Sequence, residues 1–268
     1  MKKLFNLAAL CVVTSLVLGS CSSDSGTTTT PADKNYYPTT VGSTWTYDGV
    51  DTEDTTGTLR TIPGSEYTTT TTVNASLTYM GKASTQLIST SSQPGSTPDT
   101  TYISKTSSQI YTYVQLLPTA SLAAFGVNLD LGSRWMLIGD FNATSWTVID
   151  TTIKGISIPN PLDPTSTIPA DIVVKITGAK GGTSTMTVMG SSITAQEFTT
   201  TFSISLSALG GLVQLPISVA TKTSVAENIG IVKNETPPFS ITLPALLGGT
   251  KLNNNGNRET IKTYVIAK

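Results

Sequence analysis

From Ser43 onward, apolar and polar positions alternate along the chain with the two-residue period of a strand rather than the period of a helix. Alternation or short β-branched runs fall at Ser43–Tyr47, Tyr67–Thr78, Ala83–Ser89, Thr100–Ser104, Ile110–Val114 and Arg134–Phe141. They continue at Ser145–Ile153, Asp171–Thr177, Thr185–Val188, Glu197–Leu206, Val213–Thr223, Ile229–Lys233 and Thr260–Ile266. Turn formers separate them: Met80-Gly81-Lys82, Pro94-Gly95, Gly181-Gly182, Met189-Gly190, Gly210-Gly211 and Asn253 to Asn257. Many strands joined by short turns bearing Gly or Asn predict an all-β domain, arranged as an antiparallel meander, a sandwich or an open half-barrel. The best helix candidate is Thr119–Ala124, one to two turns at most. Leu206 to Ala220 is mostly apolar, but Gly210-Gly211 and Pro216 interrupt it, so it reads as a core hairpin rather than a membrane span.

A weak internal echo suggests two similar β halves. Val41-Gly42-Ser43-Thr44-Trp45 is answered by Leu131-Gly132-Ser133-Arg134-Trp135, and Met80-Gly81 by Met189-Gly190, with a Pro-rich insert from Pro159 to Pro169 between them.

The N-terminus has a different pattern. Lys2 and Lys3 precede an apolar stretch from Leu4 to Leu18, which has the layout of a secretory signal peptide and is too short for a spanning helix. It closes on Leu18-Gly19-Ser20-Cys21, which resembles the lipobox of bacterial lipoproteins: an aliphatic residue, two small ones and a cysteine. That resemblance implies cleavage before Cys21, a diacylglycerol on its thiol, further acylation by a fatty acid such as palmitate, and a cell-envelope location. The absence of Asp directly after Cys21 points by the same resemblance to the outer membrane. Two or more acyl chains hold a protein stably on a bilayer. The expected organisation is a signal peptide over 1–20, a flexible Ser/Thr-rich tether over 21–35 and a β-rich globular domain over 36–268.

The opening Tyr36 to Tyr47, the second Gly-x-x-Trp at Gly132 to Trp135 and the late strand Gly230 to Lys233 resemble those of uncharacterised β-rich envelope lipoproteins. The resemblance implies an outline similar to half-barrel lipoprotein carriers, a curved sheet around an apolar hollow, and no catalytic residues.

Composition narrows the chemistry. Of the two cysteines, Cys11 leaves with the signal peptide and Cys21 is the lipid site, so thiol catalysis and thiolate metal sites are excluded from the domain. Without Lys2 and Lys3 the 16 basic residues fall to 14 against 17 acidic ones, a net charge of −3, which argues against a nucleic-acid partner. The chain has no histidine, which removes Ser-His-Asp triads and nearly all zinc sites. Asp48, Asp51, Glu53 and Asp54 cluster where a solvated loop is expected and lack the spacing of a calcium loop, and no glycine pair precedes a phosphate-binding Lys-Ser/Thr. No metal and no cofactor is therefore expected.

Trp45, Trp135 and Trp146 remain as candidates for binding an apolar ligand or a glycan, with core packing as the alternative for each. The reading that results is a non-enzymatic, membrane-anchored lipoprotein whose β domain binds an apolar ligand or an envelope protein. A structural or adhesive surface module is the alternative. A carboxylate-based hydrolase would need two acids facing each other across a cleft.

Overall fold

The computed structural model describes residues 34–55, 57–115, 132–160, 163–211, 213–242 and 251–268. Cys21 and the helix candidate Thr119–Ala124 lie outside them. The first half of the chain forms β1 (Thr44–Thr55), β2 (Thr58–Thr61), β3 (Tyr67–Tyr79), β4 (Lys82–Ser91), β5 (Asp99–Lys105), β6 (Gln109–Gln115) and β7 (Ser133–Asp140). The second forms β8 (Ser145–Asn160), β9 (Asp163–Val188), β10 (Ser191–Ala208), β11 (Val213–Ala226), β12 (Gly230–Thr236), β13 (Phe239–Thr242), β14 (Lys251–Asn254) and β15 (Gly256–Val265).

The fold is all-β and antiparallel, as the alternation predicts. It is the meander among the expected arrangements. One sheet runs β7-β6-β5-β4-β3-β1-β15-β12-β11-β10-β9-β8, with β2 paired to β1 and β13–β14 forming a separate ribbon. The chain's first and last strands meet at the middle of that order, Thr44 opposite Val265 and Thr52 opposite Gly256. Consecutive strands β7 and β8 form the two edges, joined only by residues 141–144, so the sheet rolls into a nearly closed barrel with a single seam.

An antiparallel meander sends alternate turns to the same end. The turns at Met80-Gly81, Thr106–Ser108, Phe141–Thr144, Met189-Gly190 and Glu227–Ile229 therefore share one end with the start of β1 and the end of β15. The ladders shift register near that end, at Thr46/Tyr47, Ile110/Tyr111, Gln196/Phe198 and Ser224/Val225. Such bulges bend strands sharply, and here they bring Trp45, Ile110, Phe198 and Val225 together in one buried cluster that floors the barrel. Residues 34–38 cross this floor: Tyr37 is buried against Trp45, and the Lys105 amine donates to Asn35 Oδ1 at 2.6 Å and the Tyr37 carbonyl at 2.7 Å.

A second cluster forms along the long hairpins β8–β9 and β10–β11. On β9, Ile172, Val174 and Ile176 are buried while Asp171, Val173 and Lys175 face outward. Burying each such side chain contributes about 1.5–3 kcal/mol. Ile204 and Leu206 on β10 complete the cluster, and Phe239 of the β13–β14 ribbon packs against it.

The structure corrects three local expectations. Gly181-Gly182 is not a turn: β9 runs through it unbroken from Asp163 to Val188, and Gln196 on β10 donates from Nε2 to both glycine carbonyls. The Pro-rich insert lies largely on the paired ends of β8 and β9, Ser157 opposite Pro169 and Ile158 opposite Ile168. The acidic cluster is on a strand, because β1 extends through Asp48, Asp51, Glu53 and Asp54 to pair with β2 and β15.

Candidate functional site

Between the two apolar clusters the barrel encloses a hollow of about 450 Å³. Its volume lies within the range of small-molecule sites, roughly 300–1,000 Å³. Strand alternation builds its wall. Apolar side chains enter from the floor side, among them Tyr37, Tyr47, Leu87 and Ile103, and from the hairpin side, among them Met136 and Phe202. Between them lies a belt of neutral polar groups, including Thr112, Thr200, Gln115 and Asn234.

Among the described residues one carboxylate enters this wall, Glu259 on β15. The register shows how it is held. Tyr67, Gly49, Glu259, Asn234 and Thr223 lie opposite one another in sequence across β3, β1, β15, β12 and β11. Gly49 has no side chain, and the Tyr67 ring fills the space that a Cβ there would need. The Tyr67 hydroxyl thereby crosses β1 to hydrogen-bond Glu259. Thr69 donates to Glu259 Oε1 at 2.8 Å, and Thr223 donates to Asn234 Oδ1 at 3.1 Å. Burial, with the charges of Glu259 and Asp51 next, pushes the Tyr67 hydroxyl up to about 12. Burial first, and then the Tyr37 and Glu259 charges, also raises Tyr47, whose hydroxyl donates to the Ile231 carbonyl at 3.0 Å.

The outer face is charged differently. Lys175, Lys222 and Lys233 flank inward-facing residues on their strands, and each meets an acid across the outside: Asp150 at 3.6 Å, Glu197 at 3.6 Å and Glu235 at 2.9 Å. Among the described residues lining the hollow there is no lysine or arginine, and Glu259 makes no ion pair among the described residues.

None of the three tryptophans proposed as ligand contacts is among the described residues that line the hollow. Trp45 is 1% exposed and donates from Nε1 to the Ile229 carbonyl at 2.6 Å, tying β1 to the β11–β12 turn across the floor. Trp146 lies at the seam, its ring occupying the space beside Gly178 and its Nε1 donating to the Leu137 carbonyl at 3.0 Å. Trp135 is on the outer face, donating to the Met80 carbonyl at 3.2 Å. There the tip of hairpin β3–β4 folds over β5–β7: Tyr79 stacks on Tyr102 at 3.6 Å, and Tyr113 meets both Tyr79 and Trp135 edge-on. The Lys82 amine sits 4.0 Å from the Tyr111 ring centroid, adding a cation–π contact.

Sequence reading did not single out Glu259, Asn234, Tyr67 or Gly49. A signal was present, however. Glu259 lies two residues before Ile261, which is buried, so period two places this acid on the core-facing side of its strand.

No family model matches the chain, and no curated protein matches it. Two crystal structures are similar in outline. A Parabacteroides distasonis protein assigned as a lipoprotein superposes with a TM-score of 0.43 at 11% identity, over 87% of this chain and 99% of that one. A Bacteroides fragilis protein assigned as exported, with a YmcC-like fold, gives a TM-score of 0.37 at 13% identity over 87% and 99%.

Proposed function

We propose that this protein is an exported lipoprotein, anchored through Cys21 to the bacterial envelope at the outer membrane, whose barrel binds an apolar or amphipathic small molecule without catalysing a reaction. The observation that carries the reading is the hollow of about 450 Å³, walled partly by aliphatic and aromatic side chains and partly by uncharged hydroxyls and amides. A solidly packed barrel of this size would bury more apolar area, so a preserved void suits an occupant. The adhesive-module alternative depends instead on an exposed aromatic platform. The rings that could form one, Tyr79, Tyr102, Tyr113 and Trp135, pack against one another beneath the β3–β4 tip. The hydrolase alternative needs two facing carboxylates, whereas Glu259 is the single acid among the described lining residues.

The test is titration of Nile red, a neutral fluorescent probe, into the chain from Ser22 to Lys268, which lacks both the apolar signal segment and the lipid-bearing cysteine and so remains in water. Saturable binding is expected, weakened roughly tenfold or more in Val114→Trp, whose indole would fill the hollow. Absence of saturable binding, or binding indifferent to Val114→Trp, would sink the ligand reading. Anchoring is tested separately by radiolabelled palmitate. Label should enter the native chain and be lost in Cys21→Ala, and label persisting in the variant refutes the lipid assignment.

A further inference from the structure

Resting on the reading of the hollow as a ligand site, we infer that it selects amphiphiles with a cationic, amine-type head over those with a carboxylate head, and that Glu259 is the residue that reads the charge. Glu259 is half-buried on the wall of the hollow, and a carboxylate that gives up part of its water gains from donors and from an opposite charge that face it. Glu259 has donors, from Thr69 at 2.8 Å and from Tyr67 across Gly49. It has no cation among the described residues, because alternation sends Lys222 and Lys233 to the outer face, where Glu197 and Glu235 already engage them. Arg258, the neighbour of Glu259, also points outward, its guanidinium 3.4 Å from Thr61 Oγ1. Among the described residues the wall therefore presents one negative charge, neutral hydroxyls and amides, and apolar surface, with no positive group to receive an anion.

The placement is built rather than incidental. Gly49 is what lets the Tyr67 hydroxyl reach Glu259, and Asn234 lies directly opposite Glu259 on β12 with its Oδ1 accepting from Thr223. An ammonium head seated between Glu259 and the Asn234 amide oxygen would gain a charge-assisted hydrogen bond, while its chain lay against the apolar wall. A carboxylate head in the same place would meet like charge. A fatty acid is thereby disfavoured here.

The experiment is calorimetric titration of the chain from Ser22 to Lys268 with octylamine, octanol and octanoate at neutral pH. These probes share a chain and differ in head charge. Octylamine is expected to bind roughly tenfold or more tightly than octanol, with octanoate weakest. In Glu259→Gln the amine advantage should fall to within about twofold while octanol binding is retained. Asn234→Asp keeps the Oδ1 acceptor for Thr223 and adds a second carboxylate, so it should widen the amine preference, and it decides the matter if Glu259→Gln does not fold. Equal affinity for all three probes, or an amine preference unchanged in Glu259→Gln, overturns the charge selection while leaving the ligand reading standing. Failure of all three to bind overturns both.

Discussion

The Trp146 indole fills the space beside the α-carbon of Gly178, its partner on β9, and donates 3.0 Å across the seam to the Leu137 carbonyl on β7. Because β7 and β8 share no ladder, this side chain ties the barrel's two edges directly. Gly178→Ala places a methyl group where the ring sits and should destabilise by about 1–3 kcal/mol through overpacking. Trp146→Phe, which keeps a ring but loses the N–H donor, should cost about 1 kcal/mol. Urea denaturation midpoints of the two variants check both values. An unchanged midpoint for Gly178→Ala would remove the seam from any role in stability.

The acid limb of stability should belong largely to Asp140. Burial pushes its carboxyl up, but donation from Gln109 at 2.6 Å and from the backbone of Asn142 and Ala143, with the Lys180 charge, outweighs this and holds it below its ordinary value. The folded state thus binds this proton less readily than the unfolded chain does. Its stabilisation is complete above the usual carboxylate range and is lost as pH falls through the lowered value. Asp140→Asn should flatten the decline of the melting temperature in acid, measured by circular dichroism.

At alkaline pH the sign reverses. Tyr37 and Tyr47 are raised chiefly by burial, and Tyr67 is pushed up to about 12, so the folded state holds these phenolic protons beyond the unfolded value of about 10. Their stabilisation is whole below about pH 10 and disappears as pH climbs through the folded values. Ultraviolet titration should find these three ionising last among the tyrosines. In Glu259→Gln, Tyr67 should ionise earlier, since one of the charges that hold its proton is gone.

Two hairpin tips carry methionine where the backbone favours other residues. Met80 and Met189 have φ of 44° and 50°, each followed by a glycine at positive φ. Asn tolerates the first position of such a turn far better than an unbranched apolar side chain does. Met80→Asn and Met189→Asn should each raise stability by about 0.5–1 kcal/mol. Lower thermal midpoints in both would show that these side chains, about three-fifths exposed at 63% and 62%, make contacts that outweigh their strain.

Strand identity was legible because Ile172, Val174 and Ile176 alternate with Asp171, Val173 and Lys175, a pattern with one structural meaning. Register was not. Whether Gly181-Gly182 turns or continues depends on Gln196, a partner supplied by the next strand. Closure was equally hidden, since it rests on pairings such as Trp45 with Tyr264, far apart in the chain. The tryptophans are conspicuous in the sequence for their size, yet each holds the scaffold through its indole N–H. The hollow's acid is inconspicuous because Glu259 sits between Arg258 and Thr260 and resembles an ordinary polar stretch until Ile261 fixes which way it points.

The crossing of the floor by residues 34–38 also sets how the domain bears load. Lys34 meets Glu227 at 3.4 Å, the Asn35 carbonyl accepts from the Asn228 backbone at 2.6 Å, its side chain accepts from Lys105, and Tyr36 stacks on Phe141. A pull arriving from upstream of Lys34 is shared at once among three separate hairpins, like a drawstring gathered through several eyelets. Tension applied at Lys34 should load all three together rather than peel a single ribbon from the wall.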